Sequence, residues 1–230
     1  MARGYPDYSS SVGVSPEGKF LPMLSQGPIW FKDDFSTPLL KWTVSAGTAA
    51  LTSSPLYVYK GYAALNFKSD LGSHGIIYTY IGGLPEINNL SVNLTFMLKA
   101  SADFSDFWRS LSIISLAWRN GTDSKQVLIS YNPQTSMWYC LNSSDEPSEI
   151  GKYDIEQGYW HTIRLEVNPL VDEYVRLRVD SKKWDLLGIK YFSMAEPDDV
   201  CTIITITIYA AAGKIAELWL DDFKIRYGES

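Results

Sequence analysis

The sequence predicts an all-β protein, a jelly-roll sandwich of two antiparallel sheets preceded by an extended N-terminal arm. Three observations lead to this prediction. Apolar and polar residues alternate with a period of two in many short segments, as in strands that have one buried and one solvated face. Turn-forming pairs such as Asn120-Gly121 and Asn132-Pro133 separate these segments. The segments number about a dozen, which exceeds what one flat sheet holds, so two packed sheets are expected.

The apolar phase of each segment predicts which side chains are buried. In segment 90–98, leucine, valine and phenylalanine alternate with serine, asparagine and threonine. Segments 162–167, 175–180 and 204–209 have the same pattern. A shift by one residue would turn the whole apolar set outward, so the phase is a sharp prediction. One stretch, 102–108, has a helix-like pattern. The predicted core includes Val92, Leu94, Phe96, Ile163, Leu165, Leu177, Ile204 and Ile206.

Charge and hydropathy argue against two classes of partner. The chain has 230 residues, and 20 Lys and Arg against 26 Asp and Glu give it a formal net charge of −6. Nucleic-acid ligands require clustered basic side chains, whereas Lys182-Lys183 and the pair Arg176 and Arg178 stand isolated in the sequence. No apolar run reaches the roughly 20 residues that span a bilayer. Neither a nucleic-acid partner nor a membrane span is therefore expected.

Two cysteines, Cys140 and Cys201, lie far apart in the sequence. A chain of this length can bury a core large enough to fold without a covalent link. We interpret both cysteines as small buried hydrophobic residues. One structural disulfide between them is the alternative that the sequence leaves open.

Residues 1–28 differ in composition from residues 29–230, which carry the alternating segments. Four prolines and four glycines prevent a regular helix or a central strand there, so this segment is expected to be an extended arm. It also lacks the hydrophobic stretch of a signal peptide. The arm is either a loose terminus or lies against its own domain or a neighbouring subunit. Its apolar anchors for such a contact are Tyr5, Tyr8, Phe20, Leu21, Met23 and Leu24.

Three segments share the pattern of a known superfamily. They are Lys32-Asp33-Asp34-Phe35 followed by Trp42, Gly158-Tyr159-Trp160-His161-Thr162-Ile163-Arg164-Leu165, and Trp219-Leu220-Asp221-Asp222-Phe223. Together they resemble the concanavalin A-like lectin and glucanase superfamily, which includes laminin G-like domains. The resemblance covers about residues 30 to 227. It implies one lectin-like β-sandwich domain over 29–230.

The resemblance also implies specific strand pairings. The first strand is expected to pair with the last, and segment 174–180 is expected to form a hairpin with the strand that begins near Trp160. A short edge strand then follows at Trp184, and both Trp160 and Trp219 are expected to be buried. The scaffold hosts lectins, enzymes, adhesion modules and viral coat parts, so it predicts a fold and leaves the function open.

Catalysis is not expected. Glycan hydrolases of this superfamily carry acidic residues spaced as E-x-D-x-x-E or E-x-D-x-E on one strand, where alternation places them on one face. The nearest match is Asp154-Ile155-Glu156, but Lys152 stands where the first glutamate would be. A polar loop is the better interpretation of this segment.

His161 shares the phase of apolar neighbours, so we expect it to be a hydrogen-bonded core or edge residue.

Two pairs of carboxylates could hold calcium. Asp33-Asp34 and Asp221-Asp222 become neighbours if the first and last strands pair as the resemblance implies. Clustered carboxylates at a sheet margin suit this hard cation, which prefers oxygen ligands. In the competing interpretation, one aspartate of each pair caps a bulge or turn while the phenylalanine after it fills the core. The second interpretation is favoured, because no dense Asp/Asn/Gly loop surrounds the pairs. No other cofactor is expected.

Aromatic residues are the candidates for a sugar platform. Sugar binding requires exposed rings beside polar groups on a concave surface. Aromatic residues are also enriched at protein interfaces, so contact with another subunit is equally expected for them. The candidates, which lie close together in the sequence, are Trp108, Trp118, Tyr131, Trp138 and Tyr139.

Two functions of different classes fit these features. The first, which we favour, is a non-catalytic lectin-fold subunit of a larger assembly, such as a virion coat, decoration or tail component. Such a subunit would form homo-oligomers or dock on a coat lattice. The second is a stand-alone carbohydrate-binding protein that binds glycans. The expected location is a virion or the outside of the cell without a cleaved signal peptide, and otherwise the cytoplasm.

Overall fold

The computed structural model describes residues 29–35, 41–52, 58–61, 63–83, 87–99, 104–195 and 200–227. Within these ranges the chain forms sixteen β-strands and no helix. The strands are β1 (Ile29–Asp33), β2 (Thr43–Ala46), β3 (Thr48–Thr52), β4 (Ala64–Lys68), β5 (His74–Ile81), β6 (Leu90–Leu98), β7 (Leu111–Arg119), β8 (Asp123–Asn132), β9 (Met137–Leu141), β10 (Pro147–Lys152), β11 (Trp160–Asn168), β12 (Glu173–Val179), β13 (Lys182–Asp185), β14 (Phe192–Ala195), β15 (Cys201–Tyr209) and β16 (Glu217–Tyr227).

The first sheet has eight strands in the order β13-β12-β11-β6-β16-β4-β3, with β1 beside β16. The long strand β16 pairs with β6 along one edge. Its other edge is shared, because β4 pairs with residues 217–220 and β1 pairs with residues 223–226. The pairing of the first strand with the last is therefore confirmed. The hairpin of β11 with β12 and the edge strand β13 are confirmed as well.

The second sheet has eight strands in the order β10-β9-β8-β7-β15-β5-β2, with β14 beside β8. One edge of β8 is shared, because residues 123–126 pair with β14 and residues 129–132 pair with β9. Tyr174 of the first sheet fills the gap between these two partners. Its hydroxyl accepts the Leu128 N–H at 3.0 Å and donates to the Leu141 carbonyl at 2.9 Å. Burial raises the pKa of Tyr174 well above its ordinary value.

The two sheets enclose one continuous apolar core, and the prediction that the apolar phase of each strand is buried is confirmed. All eight side chains predicted to be buried are at most 1% exposed. The number of strands is larger than the sequence predicted, since β2 and β14 have four residues each. A segment that short shows too few alternations for a period of two to be recognised.

Two local expectations are corrected. The helix-like stretch at 102–108 is not helical over its described part, where Phe104 forms an isolated bridge to Ala210. Cys140 and Cys201 are both free, so the alternative of a disulfide is wrong. Cys140 is buried as expected, and burial raises the pKa of its thiol to about 12. Cys201 is only half-buried, because it begins β15 on the outward phase.

Residues 1–28 lie outside the described residues, and with them all six predicted anchors of the arm. The predicted contacts of Tyr5, Tyr8, Phe20, Leu21, Met23 and Leu24 therefore stay predictions. In the part of the chain that is described, no helix is long and apolar enough to cross a membrane.

Candidate functional site

A line of basic side chains crosses the outer face of the first sheet. Directly paired residues of neighbouring strands point to the same face. Following the pairs from β13 to β1 gives one line of six residues, of which five are Lys or Arg. We call this line the cation row. Its members, in order across the sheet, are Lys183, Arg178, Arg164, Asn93, Lys224 and Lys32.

Alternation explains why these cations point outward. Arg164, for example, lies between Ile163 and Leu165, which are both buried in the core. Most cations of the row also form an ion pair with a carboxylate two residues away along the chain. These pairs are Lys32–Asp34 at 3.6 Å, Lys183–Asp185 at 3.2 Å, Arg164–Glu166 at 3.0 Å and Lys224–Asp222 at 2.6 Å.

Arg178 differs from the rest of the row. The acidic residue two positions along its strand is Asp180, which other groups already bind. The Thr162 N–H donates to Asp180 Oδ1 at 2.8 Å, and His161 Nδ1 lies 2.7 Å from Asp180 Oδ2. Arg178 is exposed and forms no ion pair with another residue in the described ranges. Its guanidinium is therefore the group of the row that is best placed to meet a ligand.

A cavity of about 330 Å³ lies over the centre of the cation row. Four cations and two carboxylates are among its lining residues, so the lining carries a formal charge of +2, in contrast to −6 for the whole chain. We call this cavity the groove. Its lining residues are Asn93, Leu94, Thr95, Thr162, Ile163, Arg164, Arg178, Asp180, Asp222, Lys224 and Arg226.

His161 supports one end of the groove. Its ring is buried and packs against Phe96, with the ring centroids 5.9 Å apart. Nδ1 contacts the Asp180 carboxylate, and Nε2 lies 2.9 Å from the Glu156 carbonyl oxygen. The interpretation of His161 as a hydrogen-bonded histidine is confirmed. Asp180 has a φ of 50°, and its N–H donates to the Thr162 carbonyl at 2.9 Å. The turn after β12 is therefore fixed from both sides.

An aromatic surface lies beside the groove on the same face. Trp160 of β11 is paired with Met97, which is paired in turn with Trp219. Tyr59 packs on Trp160 with ring centroids 5.7 Å apart, and it is 51% exposed. Trp219 is buried as expected, whereas Trp160 is only half-buried. The reason for this correction is that Trp160 has the outward phase of β11, opposite to Ile163.

The segment that carries Tyr59 is held by Asp221. One carboxylate oxygen, Oδ2, accepts the N–H of Tyr59 at 3.1 Å and the N–H of Lys60 at 2.8 Å. Asp221 is paired with Thr95 on the outer face, two positions along β16 from Trp219. Residues 58–61 therefore lie against the outer face of the first sheet, next to the groove.

Three of the five aromatic residues predicted to form a platform are in the core. Trp118, Tyr131 and Trp138 are buried, so their rings cannot stack on a ligand. Tyr131 and Trp138 are paired across β8 and β9 with ring centroids 4.7 Å apart. The polar atoms of both rings have partners inside the protein. The Tyr131 hydroxyl accepts the Ile155 N–H at 3.1 Å, and the Trp138 indole donates to the Tyr153 carbonyl at 3.0 Å.

The other two predicted residues, Trp108 and Tyr139, contact each other at the outer face of the second sheet. Their ring centroids are 6.1 Å apart, and the Arg109 guanidinium lies 4.4 Å from the Trp108 ring centre. Phe107 extends this aromatic cluster and is exposed. The cluster is on the opposite sheet from the groove, so the five candidates do not form one surface.

The aspartate pairs have the geometry of the capping interpretation. Asp33 accepts the Phe35 N–H at 2.8 Å through Oδ1 and the Trp42 indole N–H at 2.9 Å through Oδ2. Phe35 has a φ of 52° and is buried. Asp222 has a φ of 50° and lies where the register of β16 shifts. Asp34 and Asp222 form ion pairs with lysines, while Asp221 binds backbone amides.

Calcium has no ligand cluster in the part of the chain that is described. No group of three or more His, Cys, Asp or Glu side chains there could hold a metal ion. Calcium binding by Asp33, Asp34, Asp221 and Asp222 therefore stays a prediction without geometric support.

The segment with a partial hydrolase spacing is an irregular connection. Asp154 and Glu156 lie between β10 and β11, where strand alternation does not apply. Asp154 Oδ1 accepts the Ser136 hydroxyl at 2.9 Å. The interpretation of this segment as a polar loop is confirmed.

The cation row is the feature that the sequence analysis missed. The interpretation of Arg176 and Arg178 as an isolated pair is wrong in three dimensions, because the pairing of β12 with β11 brings Arg178 beside Arg164. A signal was present in the sequence. A basic and an acidic residue flank one apolar residue in several places, among them Arg164-Leu165-Glu166, Arg178-Val179-Asp180, Lys183-Trp184-Asp185 and Asp222-Phe223-Lys224. Each triplet predicts two opposite charges on the solvated face of a strand.

Solved structures share the fold, although no protein-family model and no curated protein matches the chain. A carbohydrate esterase from the Shiga toxin-encoding bacteriophage phi24B is 11% identical, with a TM-score of 0.60 over 88% of this chain and 99% of that chain. An alginate lyase from Chlorella virus is 14% identical, with a TM-score of 0.57 over 87% and 100%. Cellulose induced protein, Cip1, is 14% identical, with a TM-score of 0.55 over 85% and 96%. The chain thus shares the jelly-roll sandwich fold of these three structures, which is the fold class that the sequence predicted.

Proposed function

We propose that this protein is a non-catalytic, lectin-fold protein that binds a glycan on the outer face of its first sheet. The observation that carries the proposal is the groove of about 330 Å³, which is lined mainly by side chains that can hydrogen-bond. A volume of this size suits a small number of sugar units. Asn93, Thr95 and Thr162 offer hydroxyl and amide groups, which both donate and accept.

The aromatic surface beside the groove supports a sugar ligand. Tyr59 exposes part of its ring next to Trp160, which lies on the same strand and face as Thr162. Rings beside polar groups suit a ligand that has both apolar C–H faces and hydroxyl groups. Two of the proteins with this fold are, by name, a carbohydrate esterase and an alginate lyase, which also favours a carbohydrate as the ligand.

Binding without turnover is proposed because the carboxylates of the groove are engaged. Asp180 is bound by Thr162 and His161, and Asp222 is bound by Lys224. A glycosidase needs a pair of carboxyl groups, one of which is free to give a proton. Asp154 and Glu156 lie in a loop and do not line the groove.

A space-filling variant tests the location of the site. Thr162 is exposed and lines the groove, so Thr162→Trp should block the groove and lower the affinity for any glycan that the wild type binds by about tenfold or more. The matched control is Thr43→Trp, at an exposed threonine of strand β2 in the second sheet, which should bind like the wild type. Ligands would be found on a glycan array and affinities measured by calorimetry.

Two outcomes would contradict the proposal. Equal affinity of the wild type and Thr162→Trp would place the binding site elsewhere. Release of reducing ends or of unsaturated sugars from a bound glycan, lost in Thr162→Trp, would show that the groove is catalytic.

The role of an assembly subunit, such as a virion coat, decoration or tail component, is the second candidate. It rests on the composition of residues 1–28, which suits an extended arm with apolar anchors. The two candidates are compatible, because the arm and the groove belong to different parts of the chain.

A further inference from the structure

We infer that the groove takes an acidic glycan, one whose sugars carry carboxylate or sulfate groups. This inference rests on the proposed function, since it names the ligand class of the same site. It is drawn from the cation row: five of the 20 Lys and Arg residues of an acidic chain lie in one line across six strands.

The positive charge of the row is concentrated by the fold. Neighbouring strands lie about 4.8 Å apart, so Lys183, Arg178 and Arg164 follow one another at roughly that spacing across the sheet. Asn93 interrupts the row, and Lys224 and Lys32 continue it. An acidic group in the groove is therefore approached by cations from both sides, with β11 and β12 on one side and β16 on the other.

Three cations of the row, Lys32, Lys183 and Arg178, are not held in buried ion pairs and can bind anions. The pairs of Lys32 and Lys183 are exposed, and exposed pairs are weak because water and salt screen them. Arg178 has no carboxylate partner among the described residues, since Asp180 is bound by His161 and Thr162. A guanidinium can bind a carboxylate or a sulfate through two parallel hydrogen bonds, which adds geometric selectivity.

The experiment compares four probes of similar length by calorimetry at low and high salt. They are alginate oligosaccharides as the carboxylated probe, heparin oligosaccharides as the sulfated probe, cello-oligosaccharides as the neutral probe, and single-stranded DNA as a polyanion without acidic sugars. We expect at least one acidic glycan to bind about tenfold more tightly than the neutral one, with an affinity that falls as salt rises.

The variant Arg178→Glu tests the row itself. Its carboxylate would lie between the cations Arg164 and Lys183, so the variant should keep the fold and melting temperature of the wild type. Its affinity for the acidic glycan should fall about tenfold or more. The control is Lys152→Glu, which makes the same change of charge at an exposed position of the second sheet and should alter the affinity less than about twofold.

The outcomes separate the inference from the proposed function. Equal binding of neutral and acidic glycans, still blocked by Thr162→Trp, would overturn the inference alone. DNA that binds as tightly as the acidic glycans would also overturn it, because charge without sugar chemistry would then be sufficient. Failure of every glycan to bind would overturn both. Binding of the carboxylated or the sulfated probe, weakened by Arg178→Glu, supports the inference and identifies the acidic group.

Discussion

Two buried carboxylates of strand β16 illustrate how partners decide the behaviour of an acid. Burial alone would raise the pKa of Glu217, but hydrogen bonds from Lys99 and Asn66 and the charge of Lys68 outweigh it and lower the pKa. Burial raises the pKa of Asp221 to about 6, because only backbone amides donate to Oδ2 and Oδ1 has no hydrogen-bond partner. The same strand thus holds one carboxylate whose charged form is stabilised by its partners and one whose charged form is destabilised by burial.

The raised pKa of Asp221 predicts a pH dependence of stability. The folded-state pKa of about 6 lies above the ordinary aspartate value of 3.8, so the folded protein binds the proton more tightly than the unfolded chain does. The contribution of Asp221 to the stability of the fold is therefore most favourable at pH values below the pKa of the unfolded chain, and it is lost as pH rises through about 6. When the pH is lowered from 7.5 to 4.5, the free energy of unfolding of the wild type should rise by about 2 kcal/mol relative to that of Asp221→Asn. Urea unfolding at both pH values would measure it.

The control for this experiment is Glu217→Gln, for which the pH dependence of stability has the opposite sign. Because the folded-state pKa of Glu217 is lowered, its stabilisation is present above the unfolded value and is lost as pH falls through the folded value. A difference between the wild type and Asp221→Asn that stays constant over the pH range would contradict the assignment.

At the scale of the strand, β6 supports both the core and the groove. Its inward residue Phe96 is fully buried, whereas its outward residue Asn93 is half-buried and lines the groove. Phe96→Ala should therefore lower the free energy of unfolding by about 3–5 kcal/mol, since it leaves a cavity in the core. Asn93→Ala is the control on the same strand and should cost less than about 1 kcal/mol. Urea unfolding would measure both, and similar costs for the two variants would contradict the phase of β6.

The phase of a strand determines which side chains are buried, and it can be read from the sequence. The aromatic residues that were wrongly predicted to form a platform could have been placed by phase. Tyr131 has the same phase as Val127 and Ile129, which are buried, so alternation alone places its ring in the core. Closeness in the sequence predicted one platform for Tyr131 and Trp108. Trp108, however, lies at the outer face of the second sheet, whereas Tyr131 faces the core. The error came from grouping residues by position instead of by phase.

Register between distant strands could not be read from the sequence, and the groove depends on it. Arg164, Asn93 and Lys224 lie on β11, β6 and β16, and their meeting in one row requires three strands from distant parts of the chain to pair in one register. A shift of two residues in any pairing would preserve every buried side chain and yet break the row. Core positions therefore follow from a single strand, whereas the site follows from the whole sheet.

At the scale of the whole molecule, the N-terminal arm gives a prediction that separates the two candidate functions. Fixing each backbone residue costs roughly 1–2 kcal/mol, so an ordered arm requires extensive contact with some surface. Deleting residues 1–28 should leave a folded protein that still binds glycans but associates less with itself or with a lattice. Light scattering and thermal melts of both forms would measure this. An unchanged oligomeric state with a sharply lower melting temperature would show instead that the arm packs on its own domain.

The short outermost strands restrict how copies of this protein can join. The strands with only one partner strand are β13, β3 and β1 in the first sheet, with four, five and five residues, and β10, β2 and β14 in the second sheet, with six, four and four residues. The edge of β8 opposite β7 is covered by β9 and β14, and the Tyr174 hydroxyl occupies the gap between them. Short and interrupted edges offer few unpaired backbone groups to a strand from another molecule. Within the described residues, the fold thus resists edge-to-edge aggregation, and association of copies is left to side-chain surfaces.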